Sequence, residues 1–219
     1  MKKLLLFGTG QIAQLAAFYF KHDSEYEIAA FVVDEKYMDK NAFMEKPVVA
    51  MEEVIRIYPP SEHDMFVALS YSKMNAVREE KYFTAKEKGY KLASYVSSKA
   101  TVWPGQTIGD TCFIFENNNL QPYSEIGNNV TLWSGNHIGH HSYIGDNTFI
   151  SSHVVVSGNV TIGKNCFLGV NSTLRDGITI ADYSLIGAGS YISKSISEKG
   201  SVYNIIPAGL NEKKSFSLL

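Results

Sequence analysis

The sequence predicts a chain of two domains: a small parallel α/β domain followed by a triangular parallel β-solenoid. Two observations carry this. From Val96 to Ile192 every sixth residue is aliphatic, seventeen positions without a slip. That period fits neither a helix nor an alternating strand, and it marks a solenoid in which each hexad is one short flat strand plus a turn. Upstream, residues 1–92 read as an apolar strand, a Gly-x-Gly turn, an apolar-rich helix and a second strand ending on an acid. That order is one mononucleotide-binding half, a half-Rossmann-like unit rather than a full doubly wound fold.

Taken in order, residues 3–7 form a short apolar strand, residues 8–10 a tight turn, residues 11–20 a helix and residues 27–33 a second strand closed by Asp34. Pro59 and Pro60 mark a linker to a third strand at 65–69. A helical stretch over 73–88 is stopped by Gly89, and residues 91–96 return as a strand. The start, Met1-Lys2-Lys3-Leu4-Leu5-Leu6-Phe7, imitates a signal peptide, but its apolar run is too short and reads as a buried first strand. The expected division is an α/β domain at 1–92, a repeat domain at 93–197 and a tail at 198–219.

In the repeat, three hexads close one triangular coil of 18 residues. Glycine follows the aliphatic residue in seven hexads, which suits turns needing unusual backbone dihedrals. The aliphatic ladder fills the prism, so a ligand must lie on an outer face or between subunits. Cys112 and Cys166 occupy the fifth place of their hexads, 54 residues apart. They therefore stack on one side three coils apart, about 14 Å at ~4.8 Å per coil, beyond disulfide reach. Both read as small buried residues.

The net charge of −2 and the absence of a basic tract exclude nucleic acid and anionic lipid as expected partners. No apolar stretch approaches the roughly 20 residues that span a bilayer, and a cytoplasmic location is expected.

The Gly8-Thr9-Gly10-Gln11-Ile12-Ala13 turn is the G-x-G-x-x-A form of the phosphate-binding fingerprint. Its glycines permit close backbone approach, and the helix beginning at Gln11 offers unpaired N–H groups and a positive dipole end. Asp34 stands where an acid usually reads a ribose or base. NAD-dependent oxidoreduction is disfavoured, because the sheet is only half the usual size and a solenoid replaces a reductase substrate domain.

The hexads Ile138-Gly139-His140-His141-Ser142-Tyr143 and Ile162-Gly163-Lys164-Asn165-Cys166-Phe167 resemble those of the hexapeptide-repeat acyltransferases, whose fold is a left-handed parallel β-helix. A small nucleotide-binding domain ahead of that β-helix resembles the branch that acylates nucleotide-linked amino sugars, or in relatives a sialic acid hydroxyl, for bacterial surface glycans. The resemblance implies a homotrimer with acyl-CoA bound between neighbouring β-helices, and no metal.

It also implies site residues. The catalytic histidine of such enzymes holds the third place of its hexad, here His140, and a base with pKa near 7 suits deprotonation of an amine. One coil on, Gly158 stacks about 4.8 Å away, and its N–H is the expected oxyanion donor. The family often places a carboxylate after the histidine; this chain has His141, which is either an orienting partner or itself the base, with a backbone carbonyl, Glu125 or Asp146 as other orienting groups. For the coenzyme the resemblance points to the outer face around Phe149, Val170 and Ala188, with Gly158 near the thioester; Phe149 replaces a histidine of relatives. For the nucleotide it points to Gly8, Thr9, Gly10 and Gln11 as backbone cradle, Asp34 and Glu35 as acidic contacts, and Ser70 after the third strand. Ile206-Pro207-Ala208 resembles the Gly-x-Pro-Ala ending of many such chains. The separations among His137, His140, His141 and His153 do not reproduce those of zinc-binding β-helix enzymes.

The resulting reading is an acyl-CoA-dependent N-acyltransferase taking a dTDP- or UDP-linked amino-deoxysugar. The alternatives are a sialic acid-type O-acetyltransferase and a non-catalytic trimer that binds nucleotide sugars. The sequence leaves open the sugar, the amine position, the nucleotide and the acyl chain, acetyl or larger.

Overall fold

The computed structural model describes residues 2–205. The chain opens with β1 (Lys2–Phe7), α1 (Gln11–His22) and β2 (Tyr26–Val33), followed by a short hairpin of β3 (Ala42–Phe43) and β4 (Lys46–Ala50). Then come a single helical turn α2 (Val54–Ile57), β5 (His63–Val67), α3 (Ala76–Glu87) and β6 (Lys91–Leu92). The sheet order is β3-β4-β2-β1-β5-β6, parallel except for the hairpin pair. Leu4 and Leu6 pack in one core with α1, Leu5 and Phe7 in another with α3. Burial on both faces is why β1 runs apolar without alternation from Leu4 to Phe7.

Two elements depart from the sequence expectation. The hairpin at 42–50 was not foreseen. The helix expected over 73–88 begins at Ala76, because Lys73, Met74 and Asn75 all have positive φ. In that left-handed turn Asn75 donates to the Cys166 carbonyl at 3.1 Å and accepts from Arg78 at 3.0 Å, so contact with the repeat domain overrides helix propensity. The strand expected over 91–96 is split. Leu92 and its neighbours finish the α/β sheet, whereas Tyr95–Val96 is already the first strand of the solenoid.

From Tyr95 onward two-residue strands repeat every six residues and stack into three parallel sheets. Sheet I contains Tyr95, Phe113, Thr131, Phe149, Phe167 and Leu185; sheet II contains Thr101, Asn119, His137, Val155, Thr173 and Tyr191; sheet III contains Thr107, Glu125, Tyr143, Thr161 and Thr179. The fold is a left-handed β-helix. Its inward aliphatic residues from Ile114 to Ile186 are almost completely buried in one continuous core. Cys112 and Cys166 are free and buried in that core. Val202–Tyr203 returns to pair with Leu185–Ile186 on sheet I. The Ile206-Pro207-Ala208 segment lies outside the described residues.

The glycines in the second place correct one expectation. None of Gly109, Gly127, Gly139, Gly145, Gly163, Gly169 or Gly187 has positive φ. They are small because the next coil lies against them: a Cβ on Gly139 would stand 2.6 Å from Gly158 N, and one on Gly145 2.6 Å from the Gly163 carbonyl carbon. The left-handed residue is the fourth place, filled by Asn117, Asn129, Asn147, Asn159, Asn165 and Asn171. Asparagine tolerates that conformation better than other side chains with a Cβ.

The α/β domain is seated on sheet I, where Tyr95, Phe113 and Phe115 join its core with Leu4, Phe20 and Phe66. It also grips the edge between sheets III and I. There Arg78 of α3 is 1% exposed and donates to Asn129 O, to Thr131 Oγ1 at 3.1 Å and to Asn147 O at 2.8 Å. Burial lowers its pKa to about 10. Tyr82 and Lys86 of the same helix reach Asp110 at 2.7 and 3.0 Å.

Candidate active site

The histidine turn lies on the edge between sheets II and III, the edge opposite sheet I and hence opposite the α/β domain. Its stacked residues are Gln121-Pro122-Tyr123, Gly139-His140-His141, Ser157-Gly158-Asn159 and Arg175-Asp176-Gly177. His140 is exposed, and its N–H donates to Gln121 Oε1 at 3.0 Å. Its ring meets His141 edge to face, with the two Nδ1 atoms 3.1 Å apart. His141 has φ of 56° and leans on Tyr123, ring centroids 4.8 Å apart. The Nδ1–Nδ1 contact leaves His140 Nε2 as its free nitrogen.

That free edge overhangs Gly158. A Cβ built there would stand 2.6 Å from both Cε1 and Nε2 of His140, and 2.9 Å from Asp176 Oδ2. Only glycine fits there, because the ring and the carboxylate already close on the position a Cβ would take. At the edge between sheets III and I three third-place N–H groups are capped from the next coil, Asp110 N by Asn128, Asn128 N by Asp146 at 2.7 Å and Lys164 N by Asp182 at 3.0 Å. Among the described residues Gly158 N donates to nothing. An imidazole nitrogen, an open N–H and a carboxylate therefore border one space.

Glu125 and Asp146 do not orient His140. Asp146 is committed to Asn128 at the edge between sheets III and I, and Glu125 projects from sheet III with no hydrogen bond to the histidine. His137 opens a sheet II strand, and His153 holds the left-handed turn position over Gly135.

The residues expected around the coenzyme divide. Phe149, Val170 and Ala188 line one cleft of about 390 Å³ with Tyr71, Trp133 and Phe167, along the edge between sheets I and II. Gly158 is absent from it, because 158 and 170 differ by two-thirds of a coil and so fall on different edges. Phe149 is on the outer face but only 3% exposed, covered by Tyr71 with ring centroids 4.9 Å apart and stacked on Phe167 at 5.7 Å. Tyr71 comes from the α/β domain and carries no periodicity that would have announced it.

The nucleotide set comes together at the C-terminal edge of β1, β2 and β5. Gly8 has φ of 121°, donates to Val32 O at 2.8 Å, and has room only for hydrogen beside Ala68 O. Gly10 caps α1 and faces open space, with Thr9 and Gln11 beside it. Asp34 ends β2, 9% exposed, and its Oδ2 pairs with Lys81 Nζ at 2.9 Å. Glu35 is exposed, and its N–H is held by Glu52 at 3.0 Å. Ser70 is half-buried in the loop after β5. Lys81, from α3, was not foreseen; it places a largely sheltered cation beside Asp34, above the Phe7 ring.

Residues 123–158 match the family described as bacterial transferase hexapeptide (six repeats), and residues 159–194 match the hexapeptide repeat of succinyl-transferase. Residues 123–194 are hexapeptide repeats. No curated protein sequence matches the chain significantly. Solved structures share the whole architecture. The acetyltransferase domain of PglB from Neisseria gonorrhoeae is 24% identical with a TM-score of 0.81, covering 92% of this chain and 96% of its own. PerB from Caulobacter crescentus, solved with CoA and GDP-perosamine, is 20% identical with a TM-score of 0.78, covering 94% and 93%. WeeI from Acinetobacter baumannii is 16% identical with a TM-score of 0.75, covering 94% and 95%. At these identities the likeness is one of fold, and it includes both the α/β domain and the β-helix.

Among the described residues no helix is long and apolar enough to cross a membrane, and no cluster of three or more His, Cys, Asp or Glu side chains could hold a metal ion.

Proposed function

We propose that this chain is an acyl-CoA-dependent N-acyltransferase that acylates the amine of a nucleotide-linked amino sugar. The observation that carries the reading is the packing of His140 Nε2 against Gly158, whose N–H has no partner among the described residues. Aminolysis of a thioester needs a proton acceptor beside the attacking nitrogen and a donor beside the carbonyl oxygen, and it needs no covalent enzyme intermediate. His140 takes the amine proton at Nε2, while its Nδ1 is held by His141. Gly158 N–H stabilises the oxyanion.

Acyl-CoA fits the cleft lined by Phe149, Val170 and Ala188, which offers apolar walls and backbone edges. The acceptor's nucleotide fits the edge formed by Gly8, Thr9, Gly10, Gln11, Asp34, Glu35 and Ser70, with the N-terminus of α1 turned to its phosphates. In one chain these two clefts and His140 occupy different edges of the prism. A homotrimer resolves this, because packing three prisms side by side brings the II–III edge of one copy to the neighbour's coenzyme cleft and α/β domain. A cytoplasmic location follows from the substrates.

The test is thiol release from acetyl-CoA and from 3-hydroxybutyryl-CoA against UDP-, dTDP- and GDP-linked 3-amino and 4-amino sugars. Release that needs both the amine and its nucleotide supports the reading and names the acyl group. Release only with hydroxyl acceptors moves it to an O-acyltransferase. Silence with both classes leaves a nucleotide-sugar-binding protein.

A further inference from the structure

We infer that Asp176 is the residue that selects an amine over a hydroxyl acceptor: its carboxylate meets the positive charge that appears on the attacking nitrogen. The inference rests on the acyltransferase reading above and concerns the same site. Three observations lead to it.

Asp176 is two coils after His140, and its Oδ2 borders the space beside Gly158 that the imidazole edge borders from the other side. Its register is also that of a cap. Asp146 and Asp182, each one coil after Asn128 and Lys164, accept those residues' N–H bonds at 2.7 and 3.0 Å. Asp176 stands one coil after Gly158 and makes no such bond. Among the described residues it accepts no hydrogen bond, and neither it nor its chain neighbour Arg175 enters an ion pair. The chain thus leaves a donor at Gly158 and an anion at Asp176 unpartnered in adjacent coils beside the His140 ring.

That pair matches the charges of aminolysis. As the nitrogen lone pair forms the N–C bond, the thioester carbonyl π pair moves to oxygen, giving a tetrahedral species with O⁻ and N⁺. Gly158 N–H faces the first charge and Asp176 the second. His140 Nε2 removes the proton from nitrogen; the carbonyl then re-forms, the C–S bond breaks, and the thiolate takes that proton. When His140 accepts the proton from a hydroxyl, no positive charge forms on the attacking oxygen, so the carboxylate beside it gives no such stabilisation. Asp176 also attracts an acceptor that arrives as an ammonium, which gives its extra proton to water before the neutral amine attacks.

The test compares wild type, Asp176→Asn and Asp176→Glu with acyl-CoA and the amino-sugar nucleotide that wild type turns over. The hydroxyl counterpart of that acceptor serves as competitive inhibitor. Asp176→Asn keeps the size and one acceptor oxygen and removes the charge. The expected result is a fall of about tenfold or more in kcat/KM for the amine, with KM for acyl-CoA and Ki for the hydroxyl analogue unchanged, and partial recovery in Asp176→Glu. An unchanged kcat/KM for the amine overturns the inference, as does an equal rise in KM for acyl-CoA, which marks a structural role. Turnover of hydroxyl acceptors alone overturns it while leaving the acyltransferase standing. Silence with every acceptor sinks the parent reading, and this one with it.

Discussion

The guanidinium of Arg78 donates to the backbone carbonyl of Asn147 across 2.8 Å, joining α3 to a turn of the β-helix in a site sealed from water. Among the described residues no carboxylate pairs with it; its hydrogen bonds go to carbonyls and side-chain oxygens of Asn75, Asn129, Thr131 and Asn147. Arg78→Met strands those acceptors. Losing several buried hydrogen bonds at about 1–3 kcal/mol each should lower the melting temperature by several degrees and loosen α3, read by calorimetry and by hydrogen exchange across Ala76–Glu87. Unchanged exchange there would show that the two domains are held without this residue.

His140→Ala should reduce turnover about 10²–10⁴-fold with the melting temperature preserved, since the ring is exposed. His141→Ala removes the Nδ1 partner together with its ring contact to Tyr123 and should cost roughly tenfold. A steady-state assay orders the two. If His141→Ala is the more damaging, His141 is the base.

Two glycines in adjacent coils, Gly139 and Gly158, should respond in opposite ways to alanine. At Gly158 the new methyl meets the movable His140 ring at 2.6 Å, so activity is lost with little change in stability. At Gly139 it meets the backbone N of Gly158 at 2.6 Å and must force adjacent coils apart, so stability falls by roughly 1–3 kcal/mol as in overpacked cores. Parallel melting and activity measurements on both variants separate the cases.

Asp23 caps the C-terminus of α1 and accepts from Tyr95 OH at 2.7 Å and Ser98 N at 2.9 Å. Hydrogen bonds from Ser98, then Tyr95, hold its carboxyl down to about 2. A depressed carboxylate stabilises the fold above its unfolded value and loses that contribution as pH falls through the folded one. Urea midpoints should therefore drop between about pH 4 and pH 2 in wild type, and more shallowly in Asp23→Asn.

Burial pushes the thiol of Cys112 up to about 12 and that of Cys166 up to about 11. Neither should react with a disulfide reagent at pH 8 until the β-helix unfolds. Colour development in the native protein would contradict their place in the core.

The β-helix was legible because its core repeats: an aliphatic residue every sixth position fixes which side chains point inward, and the ladder from Ile114 to Ile186 follows. The stacking of His140 on Gly158 came from the same arithmetic, and Asp176 was open to it one coil further. Lys81 and Tyr71 were not legible, since they meet Asp34 and Phe149 through the packing of one domain on another, which leaves no period in the chain. The second-place glycines were legible in position but misread in cause. A sequence shows that a side chain is missing and not whether a dihedral or a neighbour excludes it.

The repeat also sets rules for how this chain can change length. Removing eighteen residues shortens the prism by one storey and returns every later residue to its own edge. Removing six keeps every aliphatic residue inward, so the β-helix core still forms, yet everything downstream turns by one face and leaves its contacts with Arg78, Asn75 and Tyr71. A deletion of six placed before His140 would carry the histidine around to another edge, away from the neighbour it has to meet. Selection on such a chain therefore acts on its count modulo eighteen, and catalytic loss can arise from an indel that leaves the aliphatic ladder of the β-helix intact.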